Sequence, residues 1–168
     1  LNTVYGALAA VTVLTFIPML SMAVAALALF LLIFIGLYVV KGKTQKDSVV
    51  ENHMIFLIRT IWITSLFSII TMTAATIYLL PNYNPDALLP CGDSMMGILS
   101  SNPEASMAVL SDALQPCMDQ FVSDNQTVLI NATIIGAGPI IIYFLYRLFK
   151  GGSRAIKGYR LANPKGWF

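Results

Sequence analysis

The chain carries two cysteines, Cys91 and Cys117, and a single histidine, His53. Around the histidine it reads ENHMIFLIRTIWITSLFSII over residues 51–70, which sets Glu51, His53 and Arg59 at the mouth of a long apolar run. The cysteine pair can form a structural disulfide or exchange thiols. Arg59 can be a buried functional charge or an anchor at a membrane edge. Arg147, Lys150, Arg154 and Lys157 share one side of a helix if it continues through GGS, and such a cluster suits anionic lipid headgroups. The sequence shows no metal-ligand cluster, phosphate-cradling glycine loop, nucleophile–base pair or carboxylate dyad. Neither catalysis nor a metal or other cofactor is therefore expected.

The elements that hold these residues follow from composition. The 168 residues are 57% hydrophobic and 11% charged, with mean hydropathy +0.76. A soluble domain carries roughly 25% charged residues, so lipid is the expected solvent. All ten basic residues fall at Lys41, Lys43 and Lys46, at Arg59, and from Arg147 to Lys165. Six of the eight acids lie in residues 81–126, a segment without lysine or arginine. This segregation matches the positive-inside rule and puts the 81–126 loop opposite the basic ends. Nucleic-acid binding is disfavoured, because no separate soluble domain carries the basic cluster.

Residues 1–40 hold no charge and suffice for two spans, about 2–17 and 20–40, turning at Pro18. One long kinked helix is the alternative. A basic loop, 41–54, precedes a third helix over 55–80; a fourth, over 127–149, stops before GGS and leads to a basic tail, 150–168. The expected fold is an all-α integral membrane bundle of about four transmembrane helices. With four spans, both termini and the 41–54 loop are cytoplasmic. The expected location is a bacterial inner membrane, with 81–126 periplasmic; an organellar inner membrane is the alternative.

Sliding the third helix puts Arg59 at the cytoplasmic interface, where its stem can snorkel beside Trp62. His53 continues a stripe of Thr60, Thr64, Ser68, Thr71 and Ala75 along that helix. Small, weakly polar faces let membrane helices approach closely, as do Gly136 and Gly138 in the GAGP stretch of the fourth helix. Pro139 should kink that helix. In the 81–126 loop, Ser101 or Asn102 with Pro103 and Glu104 signals a helix start, and a second short helix is expected after Pro116. Cys91 and Cys117 should bridge this small cap in an oxidising compartment. The tripeptides at Asn125 and Asn131 match the glycosylation pattern without establishing it.

Four spans with a cysteine pair in the second outer loop are similar to the layout of the bacterial inner-membrane disulfide oxidase. That family also needs a C-x-x-C pair in the first outer loop, where this chain reads FIPMLSM. Thiol–quinone exchange is rejected on that ground. A second resemblance rests on Glu51, His53, Ile58, Arg59, Thr60, Trp62, Arg154 and Gly158, within ENHMIFLIRTIWI and RLFKGGSRAIKGYRLANPKG. These stretches resemble small bacterial Tic20-like membrane proteins, over about 110 residues outside the cysteine-containing loop. The resemblance implies a helical-hairpin architecture and suggests transport or protein translocation. The leading expectation from the residues themselves is a non-catalytic accessory or assembly subunit of a larger membrane complex, in contact with lipid and other membrane subunits.

Overall fold

The computed structural model describes residues 1–15 and 20–167. Among these the fold is all-helical, without strands. Its helices are α1 (Asn2–Leu14), α2 (Leu20–Lys43), α3 (Val49–Asn82), α4 (Leu89–Ser101), α5 (Met107–Asp124) and α6 (Gln126–Ile156), with a 3-10 turn at Asp86–Leu88. The expected turn at Pro18 lies outside the described residues.

Among the described residues, α2, α3 and α6 are long and apolar enough to cross a membrane. With 24, 34 and 31 residues they measure roughly 36, 51 and 46 Å, against about 30 Å of hydrocarbon. The 13 residues of α1 reach only about 20 Å, short of a full crossing. The described residues thus hold three candidate spans, and the expected fourth, over 2–17, runs in part outside them. α1 packs along α2.

Two of the three long helices, α3 and α6, start or stop well away from the expected positions, for local reasons. α3 begins at Val49, six residues before Ile55, because Ser48 caps it. The Glu51 amide donates to Ser48 Oγ at 3.1 Å, while Glu51 Oε2 accepts the Asp47 amide at 2.6 Å. This is a near-reciprocal capping box, and it employs Glu51 in starting a helix. Ser48→Ala should cost about 1 kcal/mol. Amide exchange over residues 49–53 is the measurement; unchanged protection would deny the cap its role.

α6 does not stop before GGS but runs on to Ile156, correcting the expected end at Phe149. It closes at Gly158, whose φ of +69° suits glycine. The Tyr159 amide donates to Arg154 O at 2.9 Å and the Gly158 amide to Ala155 O at 3.1 Å. That pair of bonds is a Schellman motif, and it reverses the chain. Pro139 stands inside α6 and Pro81 inside the end of α3.

The chain divides into two compact units, residues 1–69 with 140–168, and residues 70–139. The first is built around Tyr5 and Leu8 of α1, Leu37 of α2, Met54, Leu57, Ile58 and Ile61 of α3, and Leu148 and Ala155 of α6. Four helices thus share one core.

The second unit contains the cap. α4 and α5 pack together and are tied by Cys91–Cys117, with Cα atoms 5.6 Å apart. The cap's helices are displaced from their expected positions. Ser106, not Ser101 or Asn102, is the N-cap of the cap's second helix, and Pro116 lies inside α5 rather than before a new helix. Asn125 is buried between α5 and α6, where its side chain clamps the Asn84 backbone from both sides. Asn131 bonds Tyr78 Oη at 3.1 Å, tying α6 to α3.

Candidate functional site: a latched C-terminal strap

The residues after Gly158 fold back as a strap, and buried polar side chains of the first unit grip its backbone. Asn52 makes a two-point clamp on Leu161: its Nδ2 donates to Leu161 O at 3.1 Å and its Oδ1 accepts the Leu161 amide at 2.8 Å. His53 Nε2 meets Tyr159 O at 3.0 Å, and His53 Nδ1 meets Tyr5 Oη at 2.9 Å. A carbonyl only accepts, so Nε2 carries the proton and, in the neutral ring, Tyr5 donates to Nδ1. Tyr143 Oη donates to Trp167 O at 2.7 Å, and Arg154 Nη1 to Arg160 O at 3.1 Å.

Arg147 is the centre of this grip. It is 0% exposed. Its Nη1 donates to Gly166 O at 2.8 Å, its Nε to Thr60 Oγ1 at 3.0 Å, and its Nη2 reaches Phe56 O at 3.5 Å. The Thr60 hydroxyl in turn donates to Phe56 O at 2.8 Å. The guanidinium lies over the Phe56 ring, 3.8 Å from its centroid. A buried cation is costly unless its donors are met. Here carbonyls, a hydroxyl and a π-face meet them, with no Asp or Glu carboxylate among the bonded partners in the described residues. The rigid fork of arginine suits three acceptors in different directions, which a lysine ammonium on a flexible stem matches poorly.

Two of the expected interfacial residues are therefore corrected. His53 is 0% exposed and Arg147 is fully buried, so neither faces lipid headgroups. Each is spent on a carbonyl of the strap. Arg59 is exposed, with its Cζ 5.9 Å from the Trp167 ring centroid. Trp62 is also exposed and donates to Tyr38 Oη at 2.9 Å. Lys150 is half-buried, while Arg154 and Lys157 are exposed.

The stripe on α3 divides by position. Thr60 belongs to the Arg147 network. Thr64 and Ser68 are half-buried in the first unit, and Thr64 Oγ1 is a buried atom without a hydrogen-bond partner. In the second unit Thr71 is half-buried and Ala75 buried; a Cβ on Gly136 would stand 3.2 Å from Ala75 Cβ and from Met72 Sδ. Gly138 is half-buried in α6, and a Cβ there would meet only Ile134 at 4.0 Å. Gly136 is thus the glycine at the close approach.

Gly151 is tighter still than Gly136. A Cβ there would collide with Tyr5 Oη, and would lie 2.7 Å from Tyr5 Cε1 and 2.8 Å from Phe56 Cε1. Both rings belong to the latch: Tyr5 bonds His53 and Phe56 carries Arg147. Gly151→Ala should therefore cost about 1–3 kcal/mol by overpacking, more than offsetting the roughly 1 kcal/mol that alanine gains in a helix. Gly152→Ala, whose Cβ would meet Tyr5 at 3.8 Å, is the matched control. Thermal unfolding of the two variants should differ, with Gly151→Ala the lower; equal midpoints would refute the crowding.

Sequence reasoning missed Tyr5, Asn52, Phe56, Tyr143, Leu161 and Gly166 as parts of this arrangement. Comparison of the chain with family models, curated proteins and solved structures finds no match. Fold and site together define a helical membrane protein with an intramolecularly latched tail and a disulfide-tied cap. Its described residues hold no group of His, Cys, Asp and Glu able to bind a metal ion.

Proposed function

We propose that the chain is a non-catalytic accessory or assembly subunit of a larger complex in a bacterial inner membrane, with the 81–126 cap on the periplasmic side. One observation carries this reading. The cap leaves several large apolar side chains outside, with Met107 81%, Met96 69% and Leu89 66% exposed, and no residue of α5 is buried. Methionine-rich apolar surface on a small tied module suits a protein partner, because the flexible thioether side chain adapts to a facing surface. The charge segregation supports the sidedness. The use of Arg147 and His53 as internal latches supports a structural role over a catalytic one.

Photoactivatable methionine incorporated at positions 96, 107 and 118 tests the reading in native membranes. A reproducible crosslink to one distinct membrane protein is the expected result. Crosslinks to lipid alone would overturn it.

A second reading, a transport or translocation component, draws on the Tic20-like resemblance and on Thr64. Its partnerless hydroxyl borders a cavity of about 370 Å³, whose lining includes Thr12, Thr15, Phe30 and Phe144. Thr64→Cys and Ser68→Cys would react with a membrane-impermeant aqueous thiol reagent if water reaches this face. Protection of both counts against transport.

A further inference from the structure

An apolar groove of about 800 Å³ runs between α1 and α6. Its lining includes Tyr5, Gly6 and Ala9 on one side and Tyr146, Phe149 and Gly152 on the other, with Ile156 at one end. The groove does not stop at the level of buried Arg147. It continues for nine more residues of α6, roughly 14 Å, to Ile156. Phe149 and Ile156 are 81% and 73% exposed there, on a turn of helix rich in lysine and arginine.

One cation, Lys150, touches a residue of this groove, and a second, Lys157, follows its last residue in sequence. Positions 145, 149, 152 and 156 form one line along α6, and positions 146, 150, 153 and 157 form the next line, one residue round the helix. Lys150 directly follows Phe149 of the apolar line, and Lys157 follows Ile156 just past the end of α6. Lys150 Nζ lies 3.4 Å from Tyr146 Oη and 5.5 Å from the Tyr146 ring centroid, and Tyr146 lines the groove. Arg154 is occupied by Arg160 O. The two acids of this unit are engaged elsewhere, Glu51 in the α3 cap and Asp47 against Arg160 at 3.7 Å. Among the described residues, no acid pairs with Lys150 or Lys157.

We propose that this groove holds one acyl chain of an anionic phospholipid, with the headgroup phosphate against Lys150 and Lys157. Gly6 and Gly152 keep the floor low: a Cβ on Gly6 would meet nothing within 4 Å, and one on Gly152 only Tyr5 at 3.8 Å. The glycines thus leave width for a chain rather than accommodate a neighbouring helix of the same protein. The site is specific where general lipid contact is not, because it pairs an apolar slot with two cations at its flank.

The full-length protein in non-denaturing detergent, titrated with phosphatidylglycerol or phosphatidylcholine and read by native mass spectrometry, tests this. One retained phosphatidylglycerol, preferred over phosphatidylcholine by on the order of tenfold, is the expected result. Gly6→Leu starts from a position where a Cβ meets nothing within 4 Å, narrows the slot and should weaken retention severalfold, while helicity and the disulfide stay intact. Lys150→Gln with Lys157→Gln should keep lipid bound but remove the headgroup preference. Equal retention of both lipids by the unaltered protein, or undiminished retention by Gly6→Leu, would overturn the proposal. So would a groove found occupied by a second copy of the chain or by another protein.

Discussion

Arg147→Met should release the C-terminal strap while leaving the long helices in place. The substitution removes the donors to Gly166 O and Thr60 Oγ1 and the cation over Phe56. Hydrogen bonds to a charged group are worth about 1.5–3 kcal/mol each, and an orphaned buried acceptor costs about 1–3 kcal/mol. A local loss of about 3 kcal/mol is a conservative sum, since methionine recovers some packing. The readout is exchange of the Leu161 amide, which is buried and bonded to Asn52 Oδ1. A loss of that size raises the open population on the order of a hundredfold, with exchange accelerating in proportion. Arg147→Lys should fall between, keeping the charge and losing the fork. Far-UV circular dichroism should stay within a few per cent of the parent, since α3 and α6 keep their backbone bonds. Unchanged exchange at Leu161 would mean that Asn52 and His53 hold the strap without Arg147.

The second large effect belongs to the cap. Cys91 and Cys117 close a loop of 26 residues around a unit whose α5 buries none of its side chains. Chain-entropy arithmetic gives such a bridge roughly 3.5 kcal/mol. With so little core to compensate, that is a large share of what holds α4 against α5. Replacing both cysteines by serine should collapse amide protection through residues 89–124. Protection of Asn52, His53 and Leu161, in the other unit, should remain. Reductant should reproduce the effect on the unaltered protein. Full protection of α4 and α5 without the bridge would show that helix packing alone sustains the cap.

The sequence made some of this legible and hid the rest for physical reasons. An uncharged run of 40 residues and two further apolar runs announce membrane helices through composition alone. Two cysteines on one acidic segment announce their bridge. The helix ends were recorded locally but read too short: Ser48-x-x-Glu51 is a cap signal, and Gly158 after a basic turn is a stop signal. Gly151 and Gly152 looked like a break because glycine disfavours helices in isolation; packing against Tyr5 overrides that preference. The latch left no local trace. Asn52 and Leu161 are 109 residues apart, and Arg147 and Thr60 are 87 apart. Sequence displays Arg147 beside Lys150, Arg154 and Lys157 as equal charges. Only the fold separates the one that is buried from the others.

The most direct test of the accessory-subunit proposal is intact-mass analysis of the protein extracted gently from native membranes, with and without reductant. The account predicts a distinct partner protein at fixed stoichiometry, lost when the Cys91–Cys117 bridge is reduced and the cap loosens. A lone monomer or a homo-oligomer, unchanged by reductant, would contradict it.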